Sequence, residues 1–145
     1  MDSPDNIYAY ARNHVRSTYA ERFSGGNSAL ALVIFTEQLS ETAKNALEKS
    51  FAAIGFEADE RAYVDVSGLS AEEAFDVVEG ADPVALVAAD ETAANLYAQA
   101  VRQAFPPMRR VRVFGREARA FPHINALMQE EADKQAVWHL LKSLA

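Results

Sequence analysis

The sequence predicts an α/β fold in which helices cover both faces of a parallel sheet. Two observations carry that prediction. Three short apolar runs of strand length, Ala29–Phe35, Tyr63–Val66 and Val84–Ala88, are separated by segments whose apolar residues recur every three to four positions. The runs around Ala29–Phe35 and Val84–Ala88 are almost uninterrupted, as in strands buried on both faces. Strand and helix then alternate along the chain, the order that builds a parallel sheet through crossover connections.

Each element has its own signals. Over residues 3–23, Ser3 and Pro4 suit a helix start, and Ile7, Ala11, Val15, Tyr19 and Phe23 form one stripe. This N-terminal helix, within residues 1–24, is expected to pack on the sheet of a core spanning 29–145, the whole being one domain. Gly25-Gly26-Asn27 breaks the chain and reads as a linker before the first strand. Ser40 caps the next helix, with Ala43, Leu47, Phe51 and Ile54 inward and Gly55 at its end. Ser70-Ala71-Glu72-Glu73 matches a capping box, and Phe75 and Val78 mark the inner face of the helix it opens. A further helix is expected from about Thr92 to Phe105, where Pro106-Pro107 stops it. Arg110–Phe114 alternates arginine with apolar residues, as a fourth strand with one wet face does, and Ala118–Phe121 is a further extended piece. The last helix carries Val137, Leu140, Leu141 and Leu144, with Trp138 beside them.

Composition narrows the functional classes. The chain has 145 residues, half of them apolar, and no cysteine, which excludes disulfides, thiol catalysis and cysteine-bound zinc or iron–sulfur centres. No apolar run approaches the length of a membrane span, and no signal-peptide layout opens the sequence, so a cytoplasmic location is the expectation. The net charge of −7 is uneven. Residues 1–101 hold 17 acids against 6 bases, whereas residues 102–119 hold six arginines against Glu117 alone. Such an acidic body disfavours a broad nucleic-acid-binding face and leaves room for a local arginine patch.

Several segments, in order, resemble the bacterial uracil-DNA glycosylases. The closing stretch Ala126–Lys142, with Lys134 and Trp138, is similar to the family's last helix. Pro83-Val84-Ala85-Leu86-Val87-Ala88 with Asp90-Glu91-Thr92-Ala93-Ala94 resembles its third strand and the following turn. Ala46–Phe56 followed by Tyr63-Val64-Asp65-Val66 resembles its first helix and second strand. The resemblance implies a bacterial protein with a three-layer α/β/α sandwich and a central four-stranded parallel sheet of order 2-1-3-4. It also shows what has been lost. Where the family has Gly-Glu-x-Pro-Gly, this chain has Thr36-Glu37-Gln38-Leu39-Ser40, and β-branched Thr36 does not replace a glycine that lets a ligand approach. The uracil-reading asparagine aligns with Asp65, which when ionised only accepts hydrogen bonds. Phe121 stands in place of the histidine that stabilises charge on the uracil oxygen, and His123 lies after the proline rather than before it. The family's stacking loop and its cluster cysteines are missing as well. Uracil excision by that chemistry is therefore not expected.

The candidate catalytic residues are Glu37, Asp65, Asp90 and His123. The three acids follow the carboxyl ends of expected strands, the edge where open parallel sheets bind ligands. Acids there are suited to acid–base work or to holding a divalent ion, but equally to a solvated position for Glu37, a loop role for Asp65 and a helix cap for Asp90. No metal-ligand spacing links the histidines, and neither metal nor cofactor is expected. The candidate ligand-binding set is Arg109, Arg110, Arg112, Arg116 and Arg119. It reads as a docking patch for phosphate or an acidic surface, as the charged wet face of an edge strand, or as a set of partners for the chain's own acidic excess. The functional expectation is a catalytically silent relative that serves as a binding or assembly module for a protein partner. The psi subunit of the bacterial polymerase III clamp loader is a family-level precedent, sharing this kind of fold without glycosylase activity. Two alternatives stay open: a divergent glycosylase or hydrolase using Glu37, Asp65 or Asp90, and a nucleic-acid-binding module using the Arg109–Arg119 stretch.

Overall fold

The computed structural model describes His14 and residues 17–145. Its centre is a six-stranded mixed sheet built from β1 (Phe23–Gly25), β2 (Ala31–Phe35), β3 (Arg61–Asp65), β4 (Ala85–Ala88), β5 (Val111–Val113) and β6 (Arg116–Ala120). The strand order is β1-β3-β2-β4-β6-β5. Strands β3, β2, β4 and β6 run parallel, while β1 and β5 pair antiparallel with β3 and β6 at the two edges. Beyond His14, Ser17 and Thr18, which are helical, the α-helices among the described residues are α1 (Glu41–Ala53), α2 (Ala71–Ala81), α3 (Glu91–Val101), the single turn α4 (Ile124–Leu127) and α5 (Glu131–Lys142).

Side-chain alternation along the strands divides the core in two. Leu32 and Ile34 of β2 and Leu86 and Ala88 of β4 face one side, where Val77, Val78 and Tyr97 of α2 and α3 cover them. Ala31, Val33, Ala85 and Val87 face the other, under Leu47 and Phe51 of α1 and Val137 and Leu141 of α5. Because β2 and β4 lie between helices on both faces, nearly every residue in them is apolar and fully buried. The capping signals hold: the Ser40 hydroxyl accepts from Ala43 N at 3.1 Å, and Ser70 and Glu73 form a reciprocal capping box.

The expected sheet of four strands, all parallel and in the order 2-1-3-4, is not matched: the sheet has six strands and antiparallel edges. Arg110–Phe114 is not a parallel fourth strand. Its core, Val111–Val113, runs antiparallel and turns back through Phe114 and Gly115, both at positive φ (50° and 82°). Two successive positive φ values make the tight hairpin turn whose twist suits antiparallel strands. The parallel partner of β4 is instead Arg116–Ala120, which overlaps the stretch expected only as a further extended piece. At the opposite edge, Phe23–Gly25 pairs with Ala62–Val64 rather than ending a helix. The helix expected over residues 3–23 otherwise falls mostly outside the described residues; Ala20–Arg22 form a 3₁₀ turn.

Two helix boundaries also shift. The fourth expected helix ends at Val101, not Phe105, because Arg102 takes a left-handed conformation (φ 53°) and Gln103 turns onto the hairpin. The Gln103 amide donates to Arg112 O at 2.7 Å and its carbonyl oxygen accepts from Phe114 N at 2.8 Å. The closing helix is broken at Met128–Glu130 into α4 and α5.

Candidate functional site

The strand order places a switch point between β2 and β4. The β2-to-β3 connection leads one way along the sheet and the path to β4 leads the other, so a ligand crevice is expected outside their carboxyl ends. Thr36-Glu37 leaves β2 there, Ala89-Asp90 leaves β4, and Phe121-Pro122-His123 leaves β6.

Asp90 occupies this crevice. It is 6 % exposed, and its carboxylate accepts four hydrogen bonds: Thr36 N at 2.8 Å, Thr36 Oγ1 at 2.8 Å, Glu37 N at 3.2 Å and Ala93 N at 2.9 Å. Backbone amides beyond a strand and at a helix N-terminus are the donors that bind ligand anions in α/β proteins. Here the chain supplies its own anion. Burial raises the pKa of this carboxyl, but the hydrogen bonds from Thr36, Ala93 and Glu37 outweigh it and hold the net value below the ordinary one.

Glu37 and His123 close the crevice from outside. His123 Nε2 contacts the Glu37 carboxylate, with both side chains substantially exposed. Backbone bonds lace the same edge: Phe121 N to Ala88 O and Ile124 N to Ala89 O at 2.9 Å each, and Glu91 N to Pro122 O at 3.2 Å. The pocket bounded by Glu37, Asp90, His123 and Asn125 encloses no volume for even a water molecule. His123 Nδ1 is buried without a hydrogen-bond partner among the described residues.

The structure thus brings Glu37, Asp90 and His123 together and leaves Asp65 apart. Asp65 Oδ1 accepts from Ser67 N at 2.9 Å, and its backbone carbonyl accepts from Arg22 at 3.1 Å. Among the described residues, no group of three or more His, Asp and Glu is placed to hold a metal ion.

The arginine stretch separates into two kinds. Arg116 is internal: it pairs with Glu79 at 2.9 Å and Asp82 at 3.0 Å and donates to Pro83 O at 2.7 Å, tying β6 to the end of α2. Arg119, 1 % exposed, bonds the end of α5 through Ser143 Oγ at 2.8 Å and Ser143 O at 3.0 Å. Arg109, Arg110 and Arg112 are exposed around edge strand β5. The five therefore do not form one surface patch.

A more open concavity lies elsewhere among the described residues. A groove of about 480 Å³ runs between α1 and α5, floored by Ala46, Met128 and Val137 and rimmed by Lys49, Lys134 and Trp138. Sequence reading missed it because each helix alone shows only an ordinary polar face. One signal was present: the chain has four lysines, Lys44, Lys49, Lys134 and Lys142, and all fall on these two helices.

No protein-family model matches this chain, and no curated protein sequence matches it.

The clasp gives a prediction. Asp90→Asn keeps the size but loses the ionic acceptor for Thr36 and Glu37, and stability at pH 7 is expected to fall by about 1–3 kcal/mol. The pH dependence has a definite sign. A carboxyl with a depressed folded-state pKa contributes stability above its unfolded value, about 3.9, and loses it as pH falls through the folded value. Urea unfolding between pH 7 and pH 2 should therefore show a shallower acid-side loss in Asp90→Asn than in the wild type. Equal slopes would show that Asp90 is not a net-stabilised carboxylate.

Proposed function

We propose that this chain is a catalytically silent α/β domain of the uracil-DNA glycosylase type that works as a binding or assembly module for a protein partner. One observation carries the reading: the Asp90 carboxylate fills the crevice where a domain of this architecture would receive its ligand. The pocket between Glu37, Asp90 and His123 encloses no volume that would receive a nucleobase. Thr36 Oγ1 is committed to Asp90, and Phe121 is fully buried in the core with no group to offer a developing oxyanion. The in-order likeness across residues 29 to 144, with the family's catalytic groups replaced except for the glutamate matched by Glu37, is what favours this type of domain. The psi subunit of the clamp loader remains the family-level precedent for such a role.

The test is turnover. Single- and double-stranded oligonucleotides carrying uracil, hypoxanthine or an oxidised base are incubated with the full chain, and abasic-site formation is measured after alkaline cleavage. The expected result is no cleavage above the protein-free control. Base release that disappears in Glu37→Ala or Asp65→Ala would replace this reading with the enzyme one.

A further inference from the structure

We infer that the α1–α5 groove is a docking site for an acidic partner segment, one that presents a large apolar side chain between carboxylates. This rests on the binding-module reading above and names the surface and the chemistry of its partner. The floor is mostly apolar, with the buried Ser50 hydroxyl beside Ala46, Met128 and Val137, and about 480 Å³ between the helices is large enough for one or two bulky side chains. Trp138 stands at the rim, 40 % exposed, on a helix whose Val137 and Leu141 are buried in the core. A large aromatic left at the edge of an apolar depression is the usual anchor of a protein interface.

The charge around the groove selects the partner. Lys49 and Lys134 line it, and the Lys142 ammonium lies 4.0 Å from the centroid of the Trp138 ring. None of these three lysines forms an ion pair among the described residues, although the chain carries 21 acids. Glu131 is the single acid in the lining. Two of the four lysines thus line one concavity and a third lies over the Trp138 ring at its rim, on a protein of net charge −7 and without ion-paired carboxylates among the described residues. Carboxylates on the occupant meet that field, while an acidic body repels partners that are acidic without an apolar anchor. Nucleic acid is disfavoured by the same geometry. Trp138 is the one aromatic side chain lining the groove, and Lys142 already occupies a position over its ring, so bases have no stacking track.

Trp138 is the sole tryptophan, so its fluorescence reports occupancy directly. The probe is a capped heptapeptide, glutamate-glutamate-leucine-leucine-phenylalanine-glutamate-glutamate, titrated into the full chain at low salt. Three controls accompany it: the same core flanked by lysines, the same acids around a serine core, and a 20-residue oligothymidylate. The expected result is a saturable fluorescence change with the acidic apolar peptide alone, weakened about tenfold or more in Lys49→Glu/Lys134→Glu. Lys49→Met/Lys134→Met keeps the aliphatic stems and should also weaken binding, which separates charge from packing. Thermal melts of both variants confirm that they fold. The inference is overturned if the acidic peptide gives no saturable change, if the lysine-flanked or serine-core peptide binds as tightly, or if oligothymidylate binds and the peptide does not. It is also overturned if the folded lysine variants bind like the wild type. Failure here with no base-excision activity leaves the silent-domain reading standing and removes only this groove.

Discussion

Replacing Arg119 with alanine is expected to destabilise this protein by about 3–5 kcal/mol, seen as a melting temperature lower by about 10–20 °C in far-ultraviolet circular dichroism. The guanidinium is almost wholly inside the molecule, on the face of β6 that meets α5. It donates to Val111 O at 3.1 Å, Ala118 O at 2.7 Å, Glu117 Oε2 at 3.3 Å, and to both the hydroxyl and the carbonyl of Ser143. One side chain thereby joins both strands of the β5–β6 hairpin to the end of the last helix. Burial lowers its pKa, and the Glu117 carboxylate opposes that shift. Truncation leaves a cavity of arginine size and strips a donor from each acceptor at once. Arg119→Met tests the cause, because it restores bulk without hydrogen bonds and should recover only part of the loss. Arg110→Ala, at an exposed position, should change stability by less than about 0.5 kcal/mol. Equal effects at the two positions would contradict the internal role assigned to Arg119.

Gly26→Ala should cost about 3 kcal/mol, an effect far larger than a linker glycine would give. Gly26 is buried where the chain between β1 and β2 passes over the start of β3. A Cβ there would lie 2.1 Å from the Asp59 carbonyl oxygen and 2.2 Å from its carbon, both backbone atoms that cannot swing aside. The same contact is held by Gly26 N to Arg61 O at 2.7 Å and Ser28 N to Asp59 O at 2.9 Å. The added methyl must push the β1–β2 connection off β3 or break these bonds. Gly55→Ala makes the control: it has a positive φ of 102° but nothing within 4 Å of the added carbon. Backbone strain alone then costs about 1–2 kcal/mol. Chemical denaturation of the two variants separates collision from strain, and a Gly26→Ala protein as stable as Gly55→Ala would refute the close packing at β3.

Much of the element pattern was legible because it is written locally. Ser40 and Ser70 announce helix starts through bonds to residues three positions on. Ala31–Ile34 and Ala85–Ala88 announce doubly covered strands by having no polar face. Even the cap role open to Asp90 follows from its place before Glu91. The edges of the sheet were not legible in the same way. Phe23–Gly25 and Val111–Val113 are three residues each, and whether such a piece is strand, turn or helix end depends on the neighbour that accepts its backbone groups.

The site divides along the same line. The sequence by itself determined the alternating α/β order, the strands that run through the core, the absence of thiol chemistry, and the placing of Glu37 and Asp90 just beyond strand ends. Those properties depend on residue type and on spacings shorter than one element. Only the tertiary structure decided that Asp90 reaches 54 residues back to clasp Thr36, that Arg116 and Arg119 turn inward while Arg110 and Arg112 stay out, and that Lys49 and Lys134 share one groove. A charged side chain reads the same in sequence whether it faces solvent or fills a crevice. The difference is set by the desolvation and hydrogen bonding that its distant neighbours impose.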